Sequence, residues 1–145
     1  MSDPTAILSL VTLGVSDLAR SIAFYEALGF ARKARASEGV GFFAAGATAF
    51  AVFPLSELAK DAGLPNTSVA GFRGVALAWN CRSEAEVDAA LARAVTAGAT
   101  ALRPAQRAFW GGYSGYFTDP DGHIWEVAHN PGFPLSPDGR LLLPD

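Results

Sequence analysis

The sequence predicts an α+β domain made of two copies of a strand–helix–three-strand (βαβββ) module. Three observations lead there. An apolar, β-branched run followed by a capped, helically periodic stretch occurs twice, over residues 9–29 and again over 73–98. Each of these is followed by three short strand-like runs. Sliding the chain by 64 places lays "LVTLGV" on "GVALAW", and sliding it by 75 lays "FAV" (50–52) on "WEV" (125–127). A length of 145 residues suits one domain. The reading is a single domain over 1–145, with a first module at 5–55, a linker at 56–71, a second module at 72–130 and a C-terminal tail at 133–145.

The elements follow in order. "SLVTLGV" (9–15) reads as a strand. Ser16 is placed as the N-cap of the first helix, with Asp17 suited to the positive helix end. Leu18, Ile22, Tyr25 and Leu28 recur at helical spacing, and Gly29 suits the residue after the helix. "FARKA" (30–34), "VGFFAAG" (40–46) and "ATAFAVFP" (47–54) read as strands, with Ala45-Gly46 in the turn between the last two. Residues 56–71 read as a linker with one helical turn. "RGVALAW" (73–79) opens the second module. Ser83 and Glu86 form a capping box, Val87, Leu91, Ala94 and Val95 make the buried stripe, and Gly98 closes the helix. "ATALRPA", "GYSGYFT" and "HIWEVAH" are the last three strands, and 103–112 is expected to be a loop. Asp119-Pro120-Asp121-Gly122 places Asp, Pro and Gly where a β-turn favours them.

Composition narrows the function. Apolar residues make up 50% and charged residues 17%, with a net charge of −3 and no Lys/Arg cluster, so no nucleic-acid footprint is visible. No apolar run is long enough to span a bilayer. "MSDPTAILSL" lacks the basic start of a secretory leader. The single cysteine, Cys81, makes no internal disulfide and points to a reducing, cytoplasmic setting; a small buried hydrophobe is its expected role. Two histidines exclude a histidine-rich zinc site within one chain.

"GVSDLARSIAFYEALGF" and "GYFTDPDGHIWEVAHNP" resemble the opening helix segment and closing hairpin of the vicinal oxygen chelate superfamily, which includes glyoxalase I, extradiol dioxygenases and bleomycin-resistance proteins. The resemblance covers about residues 10–132. It implies two modules whose curved mixed sheets form an open cup, and pairing of two chains as a homodimer. It does not choose the chemistry.

In such a cup one face of each strand meets the helices and the other lines the cup. Alternation assigns Val11, Leu13, Val15, Trp125 and Val127 to the helix side, and Thr12, Phe53 and Glu126 to the cup. The metal-dependent members place one ligand on each of four strands. The corresponding positions here are Leu10, Ala51, Gly74 and Glu126, of which Glu126 alone offers a donor, so no metal and no cofactor is expected. His123 and His129 fall on the face opposite Glu126. They are read as an exposed hairpin residue and a strand-end residue.

The expected ligand-binding set is Thr12, Phe53, Trp110, Tyr113 and Glu126. An acid among small and aromatic groups grips a ligand hydroxyl or amine, or moves a proton, or pairs internally with Tyr113 or an arginine of 103–107. Three functions stay open. One is a metal-free binder of a small aromatic or drug-like molecule. The second is a small lyase or isomerase with Glu126 as general acid/base. The third is a metal-dependent glyoxalase or dioxygenase, which the missing ligands argue against. A surface role for the aromatic loop is the non-catalytic alternative.

Overall fold

The computed structural model describes residues 4–65 and 70–145. Residues 66–69 of the expected linker, and the first three residues of "MSDPTAILSL", lie outside the described residues. In chain order the elements are β1 Leu10–Val15, α1 Leu18–Leu28, β2 Ala31–Lys33, β3 Gly41–Ala45, β4 Thr48–Pro54, α2 Leu55–Asp61, β5 Ala76–Asn80, α3 Glu84–Ala97, β6 Thr100–Arg107, β7 Tyr113–Thr118 and β8 Ile124–His129.

They form two four-stranded sheets of identical order, β1-β4-β3-β2 and β5-β8-β7-β6. In each, the first strand pairs in parallel with the last, and the other pairs are antiparallel. The fold is thus α+β with two mixed sheets. The helix after the first strand supplies the long crossover that parallel pairing needs.

Local chemistry sets the helix ends, with two differences from expectation. Asp17, not Ser16, caps α1: its carboxylate accepts from the Arg20 N–H at 3.0 Å. Ser16 is instead held by the second module, its N–H and hydroxyl both donating to Asp121 Oδ1 at 2.8 Å. At α3 the box is open by one residue. Ser83 Oγ accepts from the Glu86 N–H at 3.1 Å, but the Glu86 carboxylate accepts from Arg82, one position before the cap. Gly29 and Gly98 close their helices with φ of 109° and 118°, a region that disfavours any side chain.

α1 is shared by both sheets. Its Phe24, Tyr25 and Leu28 are buried with Phe43, Phe50 and Val52 of the first sheet and Phe117, Trp125 and Val127 of the second. The Tyr25 ring lies 4.9 Å from Phe50 and 5.9 Å from Trp125, centroid to centroid. Aromatic pairs at such separations add about 0.5–1.5 kcal/mol each beyond area burial. Tyr25 is also the polar link between modules. Its hydroxyl donates to Asp119 Oδ2 at 2.7 Å and accepts from Trp125 Nε1 at 3.1 Å. Burial, then the Asp119 charge, pushes the phenol far above its ordinary range. The other oxygen of Asp119 accepts the N–H groups of Asp121 and His123, fixing the turn that the sequence predicts there.

The tail repeats that turn. Ser136 N donates to Arg140 O at 2.8 Å, Gly139 N to Ser136 O at 2.9 Å, and Arg140 N to Ser136 Oγ at 2.9 Å. Asp119 N to His123 O, Gly122 N to Asp119 O, and His123 N to Asp119 Oδ1 are the matching bonds of the first turn. Ser136-Pro137-Asp138-Gly139 is therefore a second copy of Asp119-Pro120-Asp121-Gly122. The two copies hold corresponding places. The first is tied to Ser16, just before the cap of α1. The second is tied to Arg82, just before the cap of α3, which donates to Ser136 O at 2.7 Å and Pro137 O at 3.3 Å.

Candidate functional site

α2 falls in the stretch expected as linker, and it changes the cup. Gly14 alternates with the buried Leu13 and Val15, so its open side faces the cup. A Cβ placed there would meet Leu55 Cδ1 at 2.7 Å. α2 packs on β1 and β4, and Ala51, on the same face, is 1% exposed. The first sheet's share of the cup is thus partly filled. The second sheet's share is open: Ala76 and Ala78 are exposed, and Glu126 is half-buried.

Register decides what Glu126 meets. Tyr116 lies directly across from Glu126, Ser114 from Ala128 and Thr118 from Ile124. The Tyr116 hydroxyl donates to Glu126 Oε2 at 3.1 Å. Partial burial, then the Glu126 charge and this bond, raise the Tyr116 phenol above its ordinary range. The Arg103 guanidinium sits 5.1 Å from the Tyr116 ring centroid and donates to Ser114 Oγ at 2.9 Å. Residues 103–105, read both as the end of a strand and as the start of a loop, and 106–107, read as loop, all lie in β6, whose register shifts between Ala101 and Arg103 and again between Arg103 and Gln106, where Pro104 sits.

Tyr113 points the other way. Its hydroxyl donates to Asp88 of α3 at 2.7 Å, and that bond is the main cause of its raised pKa. The expected Tyr113–Glu126 contact is therefore replaced by Tyr116–Glu126, the odd spacing between 113 and 116 setting the two rings on opposite faces. Trp110 belongs to the hairpin loop between β6 and β7, where Ala108 N donates to Gly112 O at 2.8 Å. Its ring lies over Gly112, where a Cβ would come within 1.5 Å of it. Neighbouring Phe109 is fully exposed. Phe53 is half-buried on β4 beside Gly14. Thr12 lines a slot of about 230 Å³ between the sheets with Val75, Ile124, Arg73 and His123. The candidate residues of the first and second sheets are not gathered into one cavity there.

His123 is half-buried rather than exposed. Arg73 can only donate, so His123 Nδ1, 3.0 Å away, accepts; Nε2–H then donates to Gly14 O at 2.7 Å. The side chain clamps the second module's turn to β1. His129 Nδ1 lies 3.1 Å from Cys81 O at the strand end. Burial, then the Glu86 charge, pushes the Cys81 thiol up to about 11.

The four positions that would hold a family-type metal do not fit one. Leu10 and Ala51 offer hydrocarbon, and Gly74 precedes β5 with a φ of 77° and no side chain. Ala78, not Gly74, lies across from Glu126 on β5. Among the described residues no three His, Cys, Asp or Glu side chains cluster as a metal site.

Comparison with solved structures places the fold. A glyoxalase-related enzyme from Fulvimarina pelagi matches with 38% identity over 96% of this chain and 99% of that one, at a TM-score of 0.87. A glyoxalase/bleomycin resistance protein/dioxygenase from Nocardioides matches at 26% identity, covering 89% and 85% of the two chains, TM-score 0.71. A glyoxalase/bleomycin resistance protein/dioxygenase family enzyme from Burkholderia phytofirmans PsJN, at 23% identity, shares the fold over 86% of this chain and 98% of its own, TM-score 0.72. Comparison with curated proteins finds no match. The family model matches residues 7–127, and the chain belongs to the Glyoxalase/Bleomycin resistance protein/Dioxygenase superfamily.

Proposed function

We propose that the chain binds a small aromatic or drug-like molecule on the concave face of its second sheet, without a metal. The Tyr116–Glu126 hydrogen bond of 3.1 Å carries this reading, because it sets a donor and an ionisable acceptor together on an otherwise small-residue face. Arg103 adds a cation beside them. Thr12, Phe53 and Trp110 are the remaining wall candidates, and Tyr116 takes the place expected of Tyr113.

A thermal-shift screen over aromatic acids, amines and drug-like compounds tests the reading, since a ligand of the folded state raises the melting point. A hit lost in both Glu126→Gln and Tyr116→Phe supports it. A hit unchanged in both removes these residues from the site. Metal analysis of protein purified without chelator tests the second half, and stoichiometric transition metal overturns it.

A second reading is a lyase or isomerase. A carboxylate next to a phenol supplies a base and a hydrogen-bond donor within one contact, and the 38% identical relative is described as an enzyme. Turnover that falls with Glu126→Gln while binding persists favours this reading. The exposed Leu10, Val75 and Leu102 suit pairing of two chains, which sedimentation velocity tests. The lone buried thiol suits a reducing, cytoplasmic setting, and no described helix is long and apolar enough to cross a membrane.

A further inference from the structure

A cavity of about 710 Å³ has a lining that does not include Glu126. It opens between the two modules, at the end where α1 finishes and the tail turn crosses. Phe30, Phe50, Trp79 and Trp125 supply aromatic surface to it. Phe30 ties them together, 5.0 Å from Phe50, 5.7 Å from Trp79 and 5.5 Å from Trp125, centroid to centroid. The tail contributes Asp138, Gly139 and Leu141 as the opposite wall. This volume falls in the range of about 300–1,000 Å³ typical of small-molecule sites.

Charge narrows the ligand. Asp138 is the one charged side chain among the described lining residues, and Asn80 adds a neutral polar side chain. Arg93 approaches Gly29 and donates to Ala27 O, and Arg140 follows the turn, but neither lines the cavity. The turn holds Asp138 in place: Ser136 Oγ donates to its carboxylate, and the turn is anchored by Arg82. That hydroxyl, offset in part by desolvation, keeps the Asp138 carboxyl below its usual range. Aromatic faces beside one carboxylate attract organic cations and repel anions.

We infer that this inter-module cavity is a second binding site, for a flat apolar molecule that carries an amine, with Trp79 and Phe30 against the ring and Asp138 against the ammonium group. Glu126, Tyr116 and Arg103 do not line it; the two sites meet only at Ala78, which lies across from Glu126.

The test is nuclear magnetic resonance titration of the whole chain with 1-naphthylmethylamine, using the indole N–H signals of Trp79, Trp110 and Trp125 as reporters. The expected result is a saturable shift of Trp79 with Trp110 unmoved. Asp138→Asn weakens the amine by about twofold to fivefold, on the scale of one exposed ion pair. 1-Naphthoic acid shifts the Trp79 signal only at higher concentration than the amine does, and Glu126→Gln leaves the amine's Trp79 shift in place. No saturable Trp79 shift overturns the proposal, as does an Asp138→Asn variant that binds the amine as wild type. Loss of binding in Glu126→Gln with Asp138→Asn unaffected also overturns it, while leaving the Glu126 face standing as a site.

Discussion

Replacing Tyr25 by Phe removes one oxygen atom and the polar link between the modules. The ring and its aromatic contacts stay. The hydroxyl is fully buried, donates to Asp119 Oδ2 at 2.7 Å and accepts from Trp125 Nε1 at 3.1 Å. Its loss leaves a buried indole N–H unpaired and takes from the Asp119 carboxylate one of its three bonds. An orphaned buried polar group costs about 1–3 kcal/mol, so the two effects together come to roughly 3 kcal/mol. For a domain of this size that lowers the melting temperature by roughly 10 °C. Urea unfolding followed by tryptophan fluorescence reads the loss as a lower midpoint with the slope m unchanged. A double-mutant cycle with Asp119→Asn isolates the pair, and the two losses fall short of additive because each variant breaks the same bond. A loss under about 1 kcal/mol, or full additivity, refutes the role given to this link.

Four other outcomes are expected. A methyl group on Gly115 meets Leu91 Cδ1 at 2.7 Å and the Ala105 backbone N at 2.9 Å, whereas one on Gly14 meets chiefly the movable end of Leu55; Gly115→Ala therefore destabilises by about 1–3 kcal/mol and more than Gly14→Ala, by urea midpoint. The Cys81 thiol, raised from 9.0 to about 11, holds roughly a hundredfold less thiolate at a pH below both values, so alkylation by iodoacetamide under native conditions is slow and accelerates on unfolding. Because the folded state keeps that proton longer than the unfolded one, this thiol's contribution to stability is present below pH 9.0 and is lost as pH rises towards about 11, and Cys81→Ser abolishes that part of the alkaline slope. Spectrophotometric titration finds the Tyr116 phenol ionising above its ordinary range, and Glu126→Gln brings it back down by removing a neighbouring charge; no change on that substitution contradicts the contact.

The repeat, the helices and the Asp119 turn were legible because each rests on local chemistry: a 3.6-residue period, a glycine after each helix, an Asp-Pro-Asp-Gly run. Ser16 and Asp17 are both good caps, and nothing local says that Ser16 is taken by Asp121, 105 positions away. The partner of Glu126 depended on register. Tyr113 and Tyr116 are equally aromatic, and only the pairing of β7 with β8 reveals which one shares its face. Pro104 reads as a strand end, yet β6 passes through it by shifting register on an edge. The docking of α2 had no signal, since a helix of 7 residues has too few turns to display a one-sided stripe. The tail turn did carry one: Ser136-Pro137-Asp138-Gly139 differs from Asp119-Pro120-Asp121-Gly122 in its first residue alone. Ser does the work of Asp there, because either side chain accepts the N–H four residues on.

That borrowed corner has a consequence for biosynthesis. Residues 136–140 leave the ribosome after both modules, and their anchor, Arg82, has by then long been made. The wall they build over the aromatic cavity can therefore close only after those modules have been made. A protein halted before this stretch lacks the Asp138, Gly139 and Leu141 side of the cavity that Trp79 and Phe30 line.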